Sequence, residues 1–214
     1  VKVLVEEIRN YKEEKRENFL HELLSHDLKN KLQGLTFYYE LFQETEPSKE
    51  ELEDYMEKMG KTSEEMSDLV KKINALKTLS KGESREIQLD SIVENAIDDI
   101  KPFAQSKGVK IDSDLCRQKV KGDLILKELF INLLENSIKH ANCDLIRINC
   151  KTVENRCVIT VEDNGKGIPD EKKDRVFEKE FKSGKAGGSG LGLYLAKEIA
   201  ESYGGEIEVK DSDL

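Results

Sequence analysis

The period of the apolar residues changes once along the chain, near Lys81-Gly82, and that change fixes the architecture. Upstream of it lie one proline and two glycines in eighty residues, so little interrupts a helix. Leu20, Leu24, Leu28, Leu32, Leu35, Tyr39 and Phe42 recur in steps of three and four, the stripe of one helix running to about residue 43. Glu44-Thr45-Glu46-Pro47 breaks it, and Ser48 with Glu51 forms a capping box for a second helix. That helix carries Leu52, Tyr55, Met59, Met66, Leu69, Ile73, Leu76 and Leu79. The two form an antiparallel hairpin whose stripes two helices cover poorly. Dimerisation into a four-helix bundle is the natural solution.

Beyond Gly82 helical and alternating segments mix. A helix is expected from Asp90 to about Lys107, a strand over Val109–Asp112, and a helix capped by Asp123 that runs to about His140. Strands Leu145–Cys150 and Arg156–Glu162 flank a Glu-Asn turn. A short helix follows around Glu171–Phe177, then a helix from about Gly190 to Tyr203 and a strand at Glu206–Lys210. The fold class is α+β: a helical hairpin over residues 1–80, a linker over 81–88, and an α/β sandwich over 89–214. A further strand is expected after Leu214.

Charged residues make up 37% of the 214, with 44 acids against 35 bases and a net charge of −9. That balance argues against a general nucleic-acid binder, which needs a basic surface. No apolar run reaches the ~18 residues of a membrane span, and no signal-peptide core opens the chain. The fragment is expected to be cytoplasmic and without membrane contact, with membrane attachment of the full-length protein left to segments outside it. Cys116, Cys143, Cys150 and Cys157 contain no Cys-x-x-Cys pair. Cys150 and Cys157 can meet across a hairpin, but two thiols without histidine partners make a poor zinc site. All four are read as reduced structural thiols.

Several residues are candidates for chemistry. His26 lies opposite the Leu20, Leu24, Leu28, Leu35 stripe, with Asp27 beside it and Asn30 one turn on. A carboxylate next to an exposed imidazole holds its tautomer and takes a proton, as a nucleophile requires. Alone, such a histidine is more often a stray on a solvated face. Phe19, Leu23 and Phe37 share that outer side, which is unusual for a surface meant only for water. His21 and His140 are read as structural. Asn132, Asn136 and Lys139 share one helical face. Amide oxygens suit Mg²⁺ and a lysine suits phosphate, although a polar stripe is usually just a solvated face. Asp163-Asn164-Gly165-Lys166-Gly167-Ile168 follows a strand, where glycines let backbone approach a flat ligand and a buried aspartate accepts from an exocyclic amine. Gly187-Gly188-Ser189-Gly190-Leu191-Gly192-Leu193 opens a helix whose free N–H groups suit polyphosphate. No strand immediately precedes it, so a dinucleotide fingerprint fails.

In order along the chain, these segments resemble sensor histidine kinases of two-component signalling. His26-Asp27-Leu28-Lys29-Asn30-Lys31-Leu32 is similar to the family's H-box, with Lys31 where proline is usual. Asn132–Lys139 resembles the N-box, Asp163–Ile168 the G1 box, Phe177–Phe181 the F-box, and Gly188–Gly192 the G2 box. The second half is thus similar to the GHKL ATP-binding domain that kinases share with gyrase, Hsp90 and mismatch-repair ATPases. Hydrolysing relatives carry Glu where this chain has Asn132.

The resemblance implies a homodimeric hairpin that presents His26 for phosphorylation by ATP with Mg²⁺, Asp27 acting as base and orienter. It implies that Asp163 accepts from the adenine amine, that Asn136 with Asn132 holds Mg²⁺, and that Lys139 and the amides of Gly188, Gly190 and Gly192 meet phosphates. Gly165, Gly167 and Leu191 complete the nucleotide site beneath a lid between about Phe177 and Gly188. It further implies phosphoryl transfer to the aspartate of a response-regulator receiver domain, and receiver phosphatase activity through Asn30. Val1–Asn18 would be the helix from a sensor. Two rivals stand beside this reading: a catalytically silent receiver-binding and dimerisation module, and a serine kinase or ATPase on the same nucleotide fold.

Overall fold

The computed structural model describes residues 24–79, 85–154, 156–178, 181 and 190–214. The expectations for Phe19, Leu20, His21, Leu23, the Val1–Asn18 helix, Gly82, Asn155, most of the lid and Gly188 lie outside them. The chain divides into two compact units, one ending at Asn74 and the other running from Ala75 to Leu214.

In the first unit a π-helical turn, Leu24–Leu28, leads into α1, Lys29–Glu44. Helix α2 spans Lys49–Thr78 and enters the second unit at Ala75. The break falls where sequence puts it. Thr45 turns to extended backbone, and the Ser48 amide and hydroxyl donate to Glu51 Oε2 at 2.9 and 2.8 Å. The Glu51 amide returns a bond to Ser48 Oγ at 3.3 Å, completing the capping box. The helices run antiparallel. Lys31 pairs with Glu65 near one end, and the rings of Tyr38 and Tyr55 lie 5.8 Å apart nearer the loop.

The apolar stripe of α1 does not all face inward. Leu28, Leu35, Tyr38 and Leu41 are half-buried together with the stem of Lys31, whereas Leu32, Tyr39 and Phe42 are exposed, as is Phe37. A stripe wider than one contact edge cannot be covered by a single partner helix, so its other edge faces out. Met56 and Val70 on α2 are likewise exposed.

The second unit begins with β1, Arg85–Gln88, and α3, Leu89–Ser106. Strands β2, Lys110–Asp114, and β3, Lys119–Gly122, precede α4, Leu126–Asn136, which widens into a π-helical turn over Ser137–Ala141. Asp123 starts α4 by accepting from the Ile125 amide at 2.8 Å. Strands β4, Leu145–Val153, and β5, Arg156–Asp163, form a hairpin; α5, Asp170–Lys173, and α6, Gly192–Ser202, follow. The sheet order is β2-β4-β5, parallel then antiparallel, while β1 and β3 make a separate antiparallel pair. Ile146 and Ile148 from one face of β4 are fully buried. So are Val93 and Ala96 of α3, Leu134 of α4, and Leu195 and Ile199 of α6. Helix α4 packs on both α3 and α6. This is the expected α/β sandwich.

Three sequence expectations change. Strand β1 lies inside the segment read as linker, and β3 was not foreseen. Each is four residues with a single aliphatic side chain, too short for a period to show, and each exists through its partner. The predicted strand at Glu206–Lys210 is not in any ladder among the described residues. Its alternation survives, with Ile207 and Val209 half-buried between exposed neighbours, but side-chain packing without an edge partner makes no strand. Third, Cys116 and Cys150 are joined in a disulfide with Cys157 adjacent, where free thiols were expected. Parallel pairing of β2 with β4 sets Asp114 opposite Asn149, which brings the loop just after β2 beside Cys150 within β4. Spacing along the chain carries no hint of that register.

Candidate active site

His26 sits in the π-helical turn, its side chain 75% exposed, as its place opposite the stripe requires. Asp27 Oδ1 lies 3.1 Å from its Nδ1, and the Asn30 amide nitrogen is 3.4 Å from both ring nitrogens. The carboxylate at Nδ1 favours the tautomer with its proton there, which puts the lone pair on Nε2, within reach of the Asn30 amide. An irregular turn thus accompanies the histidine although Lys31 replaces the usual proline. π-turns interrupt helices mostly where side chains must be re-aimed. Lys31 itself serves the hairpin through Glu65.

The second cluster is assembled around α4. Asn132 is only 3% exposed, and its amide donates to the Glu128 carbonyl at 2.6 Å, which leaves its Oδ1 uncommitted among the described residues. That oxygen faces the start of α6: a Cβ on Gly192 would stand 3.0 Å from it. One turn on, Asn136 is half-buried with its amide uncommitted among the described residues. Lys139 is exposed and paired with Glu135 at 2.7 Å, its ammonium 5.6 Å from the Phe103 ring centre. A phosphate there competes with Glu135, which the sequence did not suggest.

Asp163 ends β5 and is fixed at both oxygens. Ser137 Oγ donates to Oδ2 at 2.8 Å and the Gly165 amide to Oδ1 at 3.1 Å. Ser137 escaped the sequence reading, although it directly follows Asn136. Asn164 has a structural task. Its Oδ1 accepts from the Asp144 and Leu145 amides and its amide donates to Asp144 at 2.7 Å, locking the loop to the start of β4. Gly165 presses on the π-turn so closely that a Cβ would lie 2.7 Å from that of Ala141 and closer still to its carbonyl oxygen. Gly167 and Gly190 take φ of +67° and +70°, a region that favours glycine. Leu191 is fully buried and caps α6 as its carbonyl accepts from the Leu195 amide at 2.8 Å. The three motif segments of this unit therefore converge: Asp163 and Gly165 on the C-terminal end of α4, Gly192 on its middle. Phe177 is buried, and the Arg175 guanidinium lies 5.6 Å from the Phe181 ring.

Two family models match this chain in the same order. The His Kinase A (phospho-acceptor) domain covers residues 16–85, and the histidine kinase-, DNA gyrase B-, and HSP90-like ATPase covers residues 121–213. The chain belongs to the histidine kinase family. This kinase is 31% identical to the histidine protein kinase SaeS of Staphylococcus epidermidis, over 97% of its own length and 62% of that relative. Its fold is similar to that of the Acinetobacter baumannii histidine kinase AdeS, with TM-score 0.68 and 19% identity over 87% of this chain and 91% of that one. It is also similar to the histidine kinase ThkA in complex with the response regulator protein TrrA, with TM-score 0.71 and 20% identity over 96% and 63% of the two chains. No helix among the described residues of the kinase is long and apolar enough to cross a membrane.

Proposed function

We propose that the kinase phosphorylates its own His26 from ATP and passes the phosphoryl group to an aspartate on a response-regulator receiver. The His26–Asp27 pair carries the reading: an exposed imidazole held at Nδ1 by a carboxylate, on a chain with an ATPase-type domain. His26 Nε2 forms the bond to the γ-phosphorus as the bond to the departing ADP oxygen breaks, and Asp27 accepts the Nδ1 proton as positive charge develops on the ring.

The residues of the second unit fit a nucleotide. Asp163, immobilised by Ser137 and Gly165, accepts from the adenine amine. Gly165 orients that aspartate through its amide, Gly167 keeps the approach clear, and the amides at Gly190, Leu191 and Gly192 meet phosphates at the start of an eleven-residue helix, a role that Gly188 of the same motif shares. Asn136 and the Oδ1 of Asn132 would hold Mg²⁺, which when bound supplies charge neutralisation at the phosphate oxygens. Lys139 leaves Glu135 to join them. The hairpin of residues 1–80 is the dimerisation and phosphotransfer domain, with the edge formed by Leu32, Tyr39 and Phe42 turned to a second copy. Residues 89–214 are the ATP-binding domain.

Asn30 serves an opposing reaction, orienting water toward the phosphorylated receiver so that the aspartate is freed and inorganic phosphate leaves. An Asn30→Ala protein should keep autophosphorylation and lose the acceleration of receiver dephosphorylation; undiminished acceleration refutes that part. Intact-mass and peptide analysis after incubation with Mg-ATP tests the kinase reading, which requires one phosphate on the peptide that contains His26.

A further inference from the structure

The three sulfurs at the distal end of the β4–β5 hairpin have no part in phosphoryl transfer. Cys150 pairs across the ladder with Ile159, and Cys157 with Thr152, so the two cysteines are diagonal neighbours on one face. That face is the helix-covered one, since Cys150 continues the Ile146, Ile148 alternation. Cys116 arrives from the loop after β2. Sγ of Cys157 lies 3.4 Å from that of Cys150 and 4.0 Å from that of Cys116, and all three sulfurs lie within 4.8 Å of one another. All three residues are half-buried.

Two uses of such a trio differ in geometry. Thiol–disulfide exchange needs the attacking sulfur in line with the bond it breaks, so its distances to the two bonded sulfurs should differ by a full S–S length of about 2 Å. Here they differ by far less, and Cys157 stands at the apex of a triangle. Triangles suit a shared cation. Three thiolates around tetrahedral zinc, at about 2.3 Å each, sit roughly 3.8 Å apart.

We infer that, once the Cys116–Cys150 bond is reduced, Cys116, Cys150 and Cys157 form a three-thiolate site for a soft d¹⁰ cation of the Zn²⁺ class. A dithiol reductant supplies two electrons and two protons, itself closing to a disulfide, to give two thiols. Binding then displaces three protons, one from each cysteine, and forms three metal–sulfur bonds. Among the described residues no fourth His, Cys, Asp or Glu joins the cluster, so water completes the tetrahedron. The ion staples the β2 loop to the hairpin tip. Asp163 lies six residues along β5 from Cys157, about 20 Å of strand, so the staple is structural and independent of the nucleotide.

The test is Co²⁺ titration of the reduced full chain without oxygen, followed by displacement with Zn²⁺. The expected result is one Co²⁺ per chain with a thiolate charge-transfer band, and a rise in melting temperature on adding Zn²⁺. Cys157→Ser should weaken binding more than tenfold and abolish the rise, while Cys143→Ser and the oxidised chain separate the trio from the fourth thiol. Cys143→Ser should bind as wild type, and the oxidised chain should show no band. Wild type without a thiolate band, or Cys157→Ser binding as wild type, overturns the inference. Mg-ATP affinity measured in parallel should be equal in wild type and Cys157→Ser, so a failed metal site is distinguishable from a failed nucleotide site.

Discussion

Ser137 Oγ donates to Asp163 Oδ2 at 2.8 Å, tying the π-turn after α4 to the end of β5. The Gly165 amide holds the other oxygen, so the carboxylate has one orientation before any ligand arrives. Pre-organisation of that kind predicts graded effects. Asp163→Asn should lower ATP affinity about 10- to 100-fold, because a hydrogen bond to a charged group is worth about 1.5–3 kcal/mol. Ser137→Ala, which frees one oxygen only, should cost about three- to tenfold. Calorimetric titration measures both. Equal affinity in wild type and Asp163→Asn would remove this residue from the site.

Gly165 and Gly167 should respond differently to alanine. A Cβ at Gly165 runs into the Ala141 backbone, which cannot rotate away, so Gly165→Ala should destabilise by about 2–3 kcal/mol. Gly167 has open space around it but a φ of +67°, so Gly167→Ala should cost about 1 kcal/mol. Urea denaturation midpoints check the order.

Much of this was readable from the residues alone, and the exceptions share a cause. The hairpin, its turn and its capping box follow from local period and from Ser48 and Glu51, which interact within one helical turn. His26 was placed outward by the same arithmetic. Ser137, the inward press of Gly165 on Ala141 and the Cys116–Cys150 bond depend on pairings between distant segments, which a period cannot reveal. Leu32, Tyr39 and Phe42 show the same limit inside one helix. Spacing identifies an apolar face, but which edge of it a neighbour covers depends on where that neighbour sits.

The capping box carries a pH signature. Bonds from the Ser48 amide and hydroxyl hold the Glu51 carboxyl below its ordinary 4.5. A depressed folded value means that the stabilisation is complete above the unfolded pKa and is lost as pH falls through the folded one. Ser48→Ala should therefore lower the melting temperature at pH 7, and the difference from wild type should shrink as pH drops below about 4. Circular dichroism melts at the two pH values check it; a difference that grows in acid would contradict it.

The exposed edge of α1 should hold the dimer. Tyr39→Glu with Phe42→Glu puts charges on that edge and leaves the Lys31–Glu65 pair and the Tyr38–Tyr55 contact in place. The wild type should be dimeric in light scattering and the double variant monomeric, with helix content unchanged. A dimeric double variant would mean that association uses another surface.

The most direct test of the central claim is incorporation of γ-labelled phosphate from Mg-ATP into wild type and His26→Ala side by side. Wild type should take up label that is labile in acid and stable in base, and His26→Ala should take up none while binding ATP as tightly. Label that persists in His26→Ala, or a wild type that binds Mg-ATP and stays unlabelled, would contradict the account.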